Sequence, residues 1–199
     1  MAELELADWR RRVAALYARV RERRDADPWA AHDDWRATRD ELFRSHPETP
    51  LDDVAAFAGL PCAPYDPEFV WEVPVDTGVD RDRFPVGTSG GGEIAFVRFG
   101  RVPLPIGSLD VFWLDAYGGG IFLPFRDATA GDTTYGGGRY LLDTVKGADL
   151  GGADGRLILD FNFAYHPSCH YAPRWSCPLA PPDNWLDTAV PVGEQVLQR

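Results

Sequence analysis

The sequence EIAFVRFGRVPLPIGSLDVFWLDAYGGGIFLPF, residues 93–125, decides the expected fold. Apolar side chains alternate with their neighbours, at Ile94 and Phe96 and then at Val97 and Phe99. A period of two is typical of β-strands that have one face buried. The connections between these runs are short and rich in glycine, which favours antiparallel neighbours. The stretch therefore predicts a β meander.

The same pattern extends on both sides of this stretch and predicts about seven strands. They cover residues 69–75, 94–99, 102–106, 110–114, 121–125, 139–145 and 157–163. Glycine runs at residues 90–92, 118–120 and 136–138 lie between strands and predict turns. We expect the meander to close into a barrel or a sandwich.

Helical periodicity is confined to the first 60 residues. Residues 4–24 have apolar side chains on one stripe, and a second helix begins at Asp27-Pro28 and ends near Ser45. Thr49-Pro50 predicts a third, short helix that closes at Gly59. The fold class is thus α+β and mainly antiparallel β. Residues 1–60 form a helical arm, and residues 61–199 form a β domain. The part of this domain beyond Phe163 is irregular and proline-rich, and we call it the C-terminal cover. The arm and the β domain are expected to form one compact unit.

Composition excludes several classes of function. A formal net charge of -11 disfavours binding to nucleic acid, because phosphate backbones require a cationic surface. No run of 18 apolar residues is present, and the N-terminus lacks the features of a signal peptide, so we expect no membrane association and a cytoplasmic location. Cysteines are expected to stay reduced there. The sequence leaves any protein partner unknown.

Two glycine-rich segments resemble catalytic motifs but lack the required context. Residues 87–91, GTSGG, match the pattern G-x-S-x-G, yet they lead into a predicted strand, whereas a nucleophile elbow joins a strand to a helix. A hairpin turn is the better interpretation. The glycine runs also lack the Lys-Ser/Thr of a phosphate-binding loop and do not open a helix. We predict no cofactor.

Four potential metal ligands, His166, Cys169, His170 and Cys177, lie within twelve residues. Zinc takes tetrahedral nitrogen and sulfur sites, but structural zinc sites usually pair two closely spaced knuckles, and Cys177 stands alone. The alternatives are a buried thiol pair packed among aromatic rings, or a disulfide or redox pair. The packed thiol pair is the favoured interpretation, and no metal ligand is predicted.

A set of polar side chains falls on strand ends and on the loops beside them. Arg139 with Asp127 or Asp160 is either a purely structural ion pair or the anion anchor and acid/base groups of a site. The candidate catalytic residues are Asp127, Tyr135 and Asp160. The candidate ligand-binding residues are Thr129, Thr134, Arg139, Tyr140, Asn162, Tyr165 and Asn184.

At these residues the chain resembles a family of bacterial and archaeal proteins known as domain of unknown function 1684. The resemblance lies in FLPFRDATAGDTTYGGGRYL (122–141), DFNFAYHPSC (160–169), CPLAPPDN (177–184), Gly193-Glu194 and the N-terminal Arg39-Asp-Glu-Leu-Phe. It implies that the candidate residues above, with Cys169 and Cys177, belong to the family pattern. That pattern usually has Asn in place of His166 and does not require His170, which weakens a zinc site. The resemblance implies no reaction.

Three functional hypotheses follow. The first is a small-molecule site, binding or hydrolytic and suited to an anionic ligand, at the end of the β body around Arg139 and nearby carboxylates. The second is a non-enzymatic protein-interaction module formed by the C-terminal cover and the helical arm. The third is a metal- or thiol-based site at Cys169 and Cys177.

Overall fold

The computed structural model describes residues 2–115 and 117–196 and begins with two helices. Helix α1 spans Ala2–Arg23 and α2 spans Pro28–Ser45. The Asp27 side chain accepts a hydrogen bond from the backbone N–H of Ala30 at 3.0 Å, as expected of an N-cap before a first-turn proline. Both predicted helices are confirmed. No helix in the described residues is long and apolar enough to cross a membrane.

The two helices pack against each other and against the β body. Tyr17 of α1 accepts a hydrogen bond from the indole of Trp35 in α2 at 3.2 Å, and both rings are fully buried. Together with Leu16, Val20 and Ala31 they belong to the same apolar cluster as the central strands. The helical arm therefore shares the core of the β domain.

In the part of the chain that the structure describes, seven strands follow, all of them joined in antiparallel ladders. They are β1 (Val70–Pro74), β2 (Arg83–Gly87), β3 (Glu93–Leu104), β4 (Gly107–Leu114), β5 (Ile121–Phe125), β6 (Arg139–Asp143) and β7 (Arg156–Asp160). Five of them form a meander in the order β2-β3-β4-β5-β6, and β1 pairs with β7 in a separate two-stranded sheet. The α+β class and the antiparallel meander are confirmed.

No closed barrel forms within residues 2–115 and 117–196, and the sandwich alternative stays a prediction. Both edges of the five-stranded sheet meet the C-terminal segment instead. On the β6 edge, Tyr140 and Tyr165 exchange backbone hydrogen bonds of 2.9 and 3.0 Å. Next to β2, Thr88 forms a bridge with Pro178. Because the C-terminal segment already bonds to both edges, the two edges do not pair with each other to close a barrel.

The described residues contain seven strands, as predicted, but several assignments differ. The predicted strands 139–145 and 157–163 end at Asp143 and Asp160, where 3-10 helices begin. The predicted strands 94–99 and 102–106 are one strand, β3, whose register with β4 shifts between Arg98 and Gly100. Gly100 therefore marks a bulge and not a turn. Strand β2 was not predicted because it is short and contains Pro85, a residue that sheets accept at an edge.

The predicted third helix at Thr49–Gly59 is wrong. Local side-chain hydrogen bonds compete with helix formation in this segment: Asp53 accepts from the N–H groups of Ala55 and Ala56 at 3.0 and 3.3 Å. The Thr49 hydroxyl donates to the carbonyl of Phe43 at 2.8 Å. The segment is a loop that runs along the surface after α2.

The C-terminal cover is irregular, as predicted, but it is not featureless. It contains the short 3-10 helices Ser168–His170 and Pro182–Asn184. Other 3-10 helices lie before it, at Pro67–Phe69, Thr144–Lys146 and Phe161–Phe163. Val190 and Val192 of the cover join the main apolar cluster. The cover is thus part of the core.

The bulge at Gly100 generates a stability prediction. A Cβ added there would lie 2.3 Å from Cγ1 of Val75, so Gly100→Ala is expected to destabilise the fold by about 1–3 kcal/mol through overpacking. Urea denaturation measures this change. Adding Val75→Ala should recover part of the loss, whereas Gly92→Ala, where the nearest atom is 3.5 Å away, serves as the control. An unchanged midpoint for Gly100→Ala would contradict the expectation.

Candidate functional site

Arg139 and Asp127 form a buried ion pair. Arg139 is the first residue of β6, Asp127 follows β5, and their closest side-chain atoms are 2.9 Å apart with both side chains almost fully enclosed. The guanidinium also donates to the carbonyls of Val190 (2.7 Å) and Val192. Asp127 in turn accepts from the N–H of Val190 at 3.1 Å. The pair binds the cover to the sheet, and neither residue lines a described cavity.

Thr129 and Thr134 support this ion pair, and Asn184 joins β4 to β5. The Thr129 hydroxyl lies 2.6 Å from Oδ1 of Asp127 and 2.9 Å from the hydroxyl of Thr134. The Asn184 side chain donates to the carbonyls of Asp110 and Pro124 at 2.9 and 2.7 Å. All three therefore use their polar atoms within the protein, and any role in ligand binding stays a prediction.

Asp160 and Asn162 are not part of the Arg139–Asp127 ion pair and lie at the end of β7. Asp160 accepts from the Asn162 backbone (3.0 Å) and side chain (2.8 Å) and from the Tyr65 hydroxyl (3.1 Å). Burial raises the pKa of Asp160 to about 6, and these hydrogen bonds oppose the shift. Asp160 and Tyr65 line a shallow cavity of about 270 Å³. Asn162 meanwhile bonds to the backbone of Asp66.

The three predicted tyrosines lie apart from both groups. Tyr140 donates its hydroxyl to the carbonyl of Pro178 at 2.5 Å. The Tyr165 ring lies 5.0 Å from the guanidinium of Arg39. Tyr135 lies beside Cys169 and His170. The predicted site residues are thus distributed over several places and do not converge on one pocket.

A buried carboxylate that the sequence analysis did not select, Glu194, organises the C-terminal end. Its Oε2 accepts from Arg39 at 2.7 Å and from the backbone N–H of His166 at 3.0 Å, and its Oε1 accepts from the Tyr171 hydroxyl. We call Glu194, Arg39, Tyr171 and His166 the Glu194 network. Burial raises the pKa of Glu194, and the Arg39 charge is the main opposing effect.

Gly193 allows Glu194 to reach this position. Its φ is +75°, and an added Cβ would lie 2.8 Å from the carbonyl oxygens of both Phe161 and Ala164. Only glycine fits such a close approach of two backbones. The N–H of Glu194 then bonds to the carbonyl of Ala164 at 2.9 Å.

The hydrogen bonds of His166 define its tautomer. Nε2 accepts from the backbone N–H of Tyr135 at 3.2 Å, so the proton of the neutral ring lies on Nδ1. Nδ1 is buried without a hydrogen-bond partner, 3.7 Å from Oε1 of Glu194. Burial is the main reason that the pKa of His166 falls to about 2, with the charge of His170 next. His166 therefore stays neutral.

The largest described cavity lies against the Glu194 network and has a volume of about 910 Å³. We call it the C-terminal cavity. Its apolar lining consists of Leu51, Ala56, Phe57, Ala58, Gly59, Leu60, Pro61 and Val196, and its polar lining of Asp53, Asp132, His170, Tyr171, Glu194 and Gln195. The loop predicted to be a helix thus supplies much of the cavity.

The histidines and cysteines of residues 166–177 lie close together without forming a metal centre. The rings of His166 and His170 are 4.3 Å apart, and the backbone N–H of Cys169 donates to the sulfur of Cys177 at 3.3 Å. Within residues 2–115 and 117–196, no group of three His, Cys, Asp or Glu side chains has the arrangement of a metal site. All three cysteines, including Cys62, are free thiols.

The signal for Glu194 was present in the sequence but could not be interpreted. Arg39-Asp-Glu-Leu-Phe and Gly193-Glu194 both carry the family resemblance, yet no local pattern pairs residues that are 155 positions apart. A glycine directly before a single acidic residue near a chain end is also common in surface turns. Only the folded chain shows the pair.

Comparisons with known proteins support the fold and name no reaction. The model of a family described as "Protein of unknown function (DUF1684)" matches residues 55–195. The solution NMR structure of the uncharacterized protein from gene locus rrnAC0354 of Haloarcula marismortui is 31% identical, covers 88% of this chain and 98% of its own, and superposes with a TM-score of 0.60. No curated protein matches the chain.

Arg139→Ala is expected to destabilise the protein by about 3–5 kcal/mol, because it leaves the Asp127 carboxylate buried without its partner. Urea denaturation measures the loss. The control is Arg12→Ala, which breaks an exposed pair with Asp8 and should cost far less, because solvent screens such a pair. Equal losses in the two variants would contradict a structural role for Arg139.

His166→Asn is expected to make the protein less sensitive to acid. The His166 pKa is about 2 in the folded state and about 6.5 in the unfolded chain, so below pH 6.5 only the unfolded chain takes up this proton. Stability is therefore lost as the pH falls, by up to about 1.4 kcal/mol per pH unit. The variant should lack this contribution in denaturation curves measured between pH 7 and pH 4.

A histidine with a smaller shift is the matched comparison. Burial lowers the pKa of His32 to about 4, so His32→Asn should flatten the curve by a similar amount down to about pH 4, and the two variants should differ only below that pH. Parallel stability curves for the wild type and His166→Asn would contradict the assignment of a neutral, buried His166.

Proposed function

The chain belongs to the DUF1684 family of proteins of unknown function, and we propose that it binds a small organic molecule in the C-terminal cavity. The observation that carries the proposal is the position of this cavity, directly against the buried Glu194 network. Its volume of about 910 Å³ suits such a ligand, since small-molecule sites measure roughly 300–1,000 Å³.

The lining favours a ligand with an apolar body. Leu51, Phe57, Leu60, Pro61 and Val196 supply aliphatic and aromatic surface, whose burial drives binding. A few polar groups of the Glu194 network lie among them and are suited to orient a ligand. This mixture of much apolar surface with few fixed polar groups is typical of small-molecule sites.

The charges of the cavity favour a neutral or cationic ligand. Asp53 and Asp132 are exposed carboxylates in the lining, and none of the lining residues that the structure describes is Arg or Lys. Burial lowers the pKa of His170, which keeps that ring neutral at physiological pH. An anion would therefore meet repulsion here, which separates this proposal from an anion site at Arg139.

One side of the cavity is rigid and the other is a loop. Tyr171 is held by its hydrogen bond to Glu194 and by edge-to-face packing on Phe43, with ring centroids 4.9 Å apart. The opposite side is the loop of residues 51–61, which Leu60 anchors through its N–H to Asp40 at 2.8 Å. The polar groups of the cavity are held in place, so we expect that mainly the loop of residues 51–61 adjusts when a ligand binds.

The second candidate function is a non-enzymatic interaction module, which exposed aromatic rings favour. Trp29, Trp113 and Trp185 are 56%, 42% and 51% exposed. Trp185 already has the Arg126 guanidinium over its ring at 4.6 Å, and Trp175 is half-buried and donates to the carbonyl of Pro50 at 3.0 Å. Part of the aromatic surface of the cover is thus used within the protein, which makes this the weaker candidate.

Two probes of similar shape and opposite charge test the proposal. Benzylamine is expected to shift the backbone amide resonances of Phe57, Ala58 and Val196 with a Kd on the order of 1 mM, a reasonable affinity for a ligand of this size. Benzoate should bind several-fold more weakly because of Asp53 and Asp132. Amide NMR titration measures both affinities.

Adjacent alanines provide matched variants. Ala56→Trp should fill the cavity and abolish the benzylamine shifts, whereas Ala55→Trp, an exposed neighbour outside the lining, should leave them unchanged. Asp132→Asn should weaken benzylamine several-fold. Tighter binding of benzoate, or shifts around Arg139 in place of the cavity, would overturn the proposal.

A further inference from the structure

Cys169 and Cys177 lie next to each other. Cys169 sits in the short helix Ser168–His170 and is half-buried, whereas Cys177 is buried. The backbone N–H of Cys169 donates to the sulfur of Cys177 at 3.3 Å. We call these two residues the thiol pair.

Hydroxyl groups from two other parts of the chain surround the thiol pair. The Tyr135 hydroxyl lies 3.9 Å from the sulfur of Cys169. The Ser89 hydroxyl, in the turn between β2 and β3, accepts from the backbone N–H of Cys177 and donates to the carbonyl of Trp175, both at 3.1 Å. The GTSGG segment, dismissed as a nucleophile motif, thus holds the backbone around Cys177.

These donors differentiate the two sulfurs. Hydrogen bonding from the Cys177 thiol is the main reason that the pKa of Cys169 lies below its usual value; burial opposes it, and the Tyr135 hydroxyl adds to the lowering. The pKa of Cys177 moves the other way, because its proton is engaged with Cys169 and because it is buried. Cys169 is therefore the more acidic sulfur, and it is also the more exposed of the two, whereas Cys177 is enclosed beside it.

The geometry points to a peroxide-reactive site in which Cys169 is the attacking thiolate and Cys177 is the resolving thiol. No part of the proposed ligand-binding function is needed for this inference. In this site Tyr135 and Ser89 contact the two cysteines. The oxidising substrate is hydrogen peroxide or an organic hydroperoxide.

The reaction balances in two steps. The Cys169 thiolate attacks one oxygen of the peroxide, the O–O bond breaks, and the products are Cys169 sulfenic acid and hydroxide or alkoxide. The sulfur of Cys177 then attacks the sulfenic sulfur, an S–S bond forms, and the sulfenic hydroxyl leaves with the Cys177 proton as water. The peroxide is reduced by two electrons, and the two cysteines are oxidised to a disulfide.

The third cysteine is an internal reference. Cys62 lies near the buried Glu194, and burial together with that negative charge raises its pKa to about 12. A thiol that stays protonated is a poor nucleophile at neutral pH. Cys62 should therefore react at least about tenfold more slowly than Cys169 with peroxide or iodoacetamide.

Mass spectrometry of the full-length protein tests the inference. One equivalent of hydrogen peroxide should lower the intact mass by two hydrogen atoms and leave one thiol, Cys62, open to alkylation. Trypsin cuts after Arg174, so the disulfide should link the peptide ending at Arg174 to the peptide beginning at Trp175. Dithiothreitol should restore both peptides. Oxidation of Cys62 at the same rate as Cys169 would overturn the proposal.

Variants separate the two roles. In Cys177→Ser, peroxide should leave a sulfenic acid on Cys169 that dimedone labels, and in Cys169→Ser no sulfenic acid should form on Cys177. Tyr135→Phe should slow alkylation of Cys169 several-fold and raise the midpoint of its pH profile, without changing Cys62. If the serine variants fail to fold, the linked peptide in the wild type decides the question. If the linked peptide does not form and Cys169 does not react with peroxide, the inference is overturned.

Discussion

The hydrogen bonds of Arg139 are the constraint on which the rest of the C-terminal structure depends. One guanidinium, enclosed by protein, neutralises Asp127 and binds the carbonyls of Val190 and Val192. A buried arginine is costly to desolvate unless its donors are satisfied, so these carbonyls must stay where they are once the core forms. The cover is thereby fixed to β6 over residues 190–192.

The features that bear on function follow from that attachment in sequence. After Val192, Gly193 permits a close approach to Ala164 that places Glu194 in the interior. Glu194 then engages Arg39 of α2 and Tyr171, and both the cavity and the histidine cluster lie against this network. Arg139 is enclosed, and its contacts position the segment that carries Glu194.

Local physics made much of the fold predictable. The Asp27-Pro28 cap and the period-two strands are short-range signals, and the requirement of a buried arginine for a carboxylate predicted Arg139 with Asp127 as one alternative. The wrong predictions have equally local causes. Pro85 made the edge strand β2 unrecognisable in the sequence, and hydrogen bonds to the Asp53 side chain favour turns over the predicted third helix. Glu194 and the cavity were missed for another reason, because they arise from contacts between distant segments that no window of sequence contains.

The ion pair between Arg39 and Glu194 also bears on how the chain acquires its structure. It joins positions 155 residues apart, and the Arg39 guanidinium lies over the rings of Trp35, Phe43 and Tyr165 as well. Contacts of such long range form late, because the entropy of closing a long loop opposes them. During synthesis the helices and the meander emerge first, and they must wait for residues 190–194 before their buried charges are matched. The buried charge of Arg39 is accordingly matched only after the segment around Glu194 has folded back onto α2.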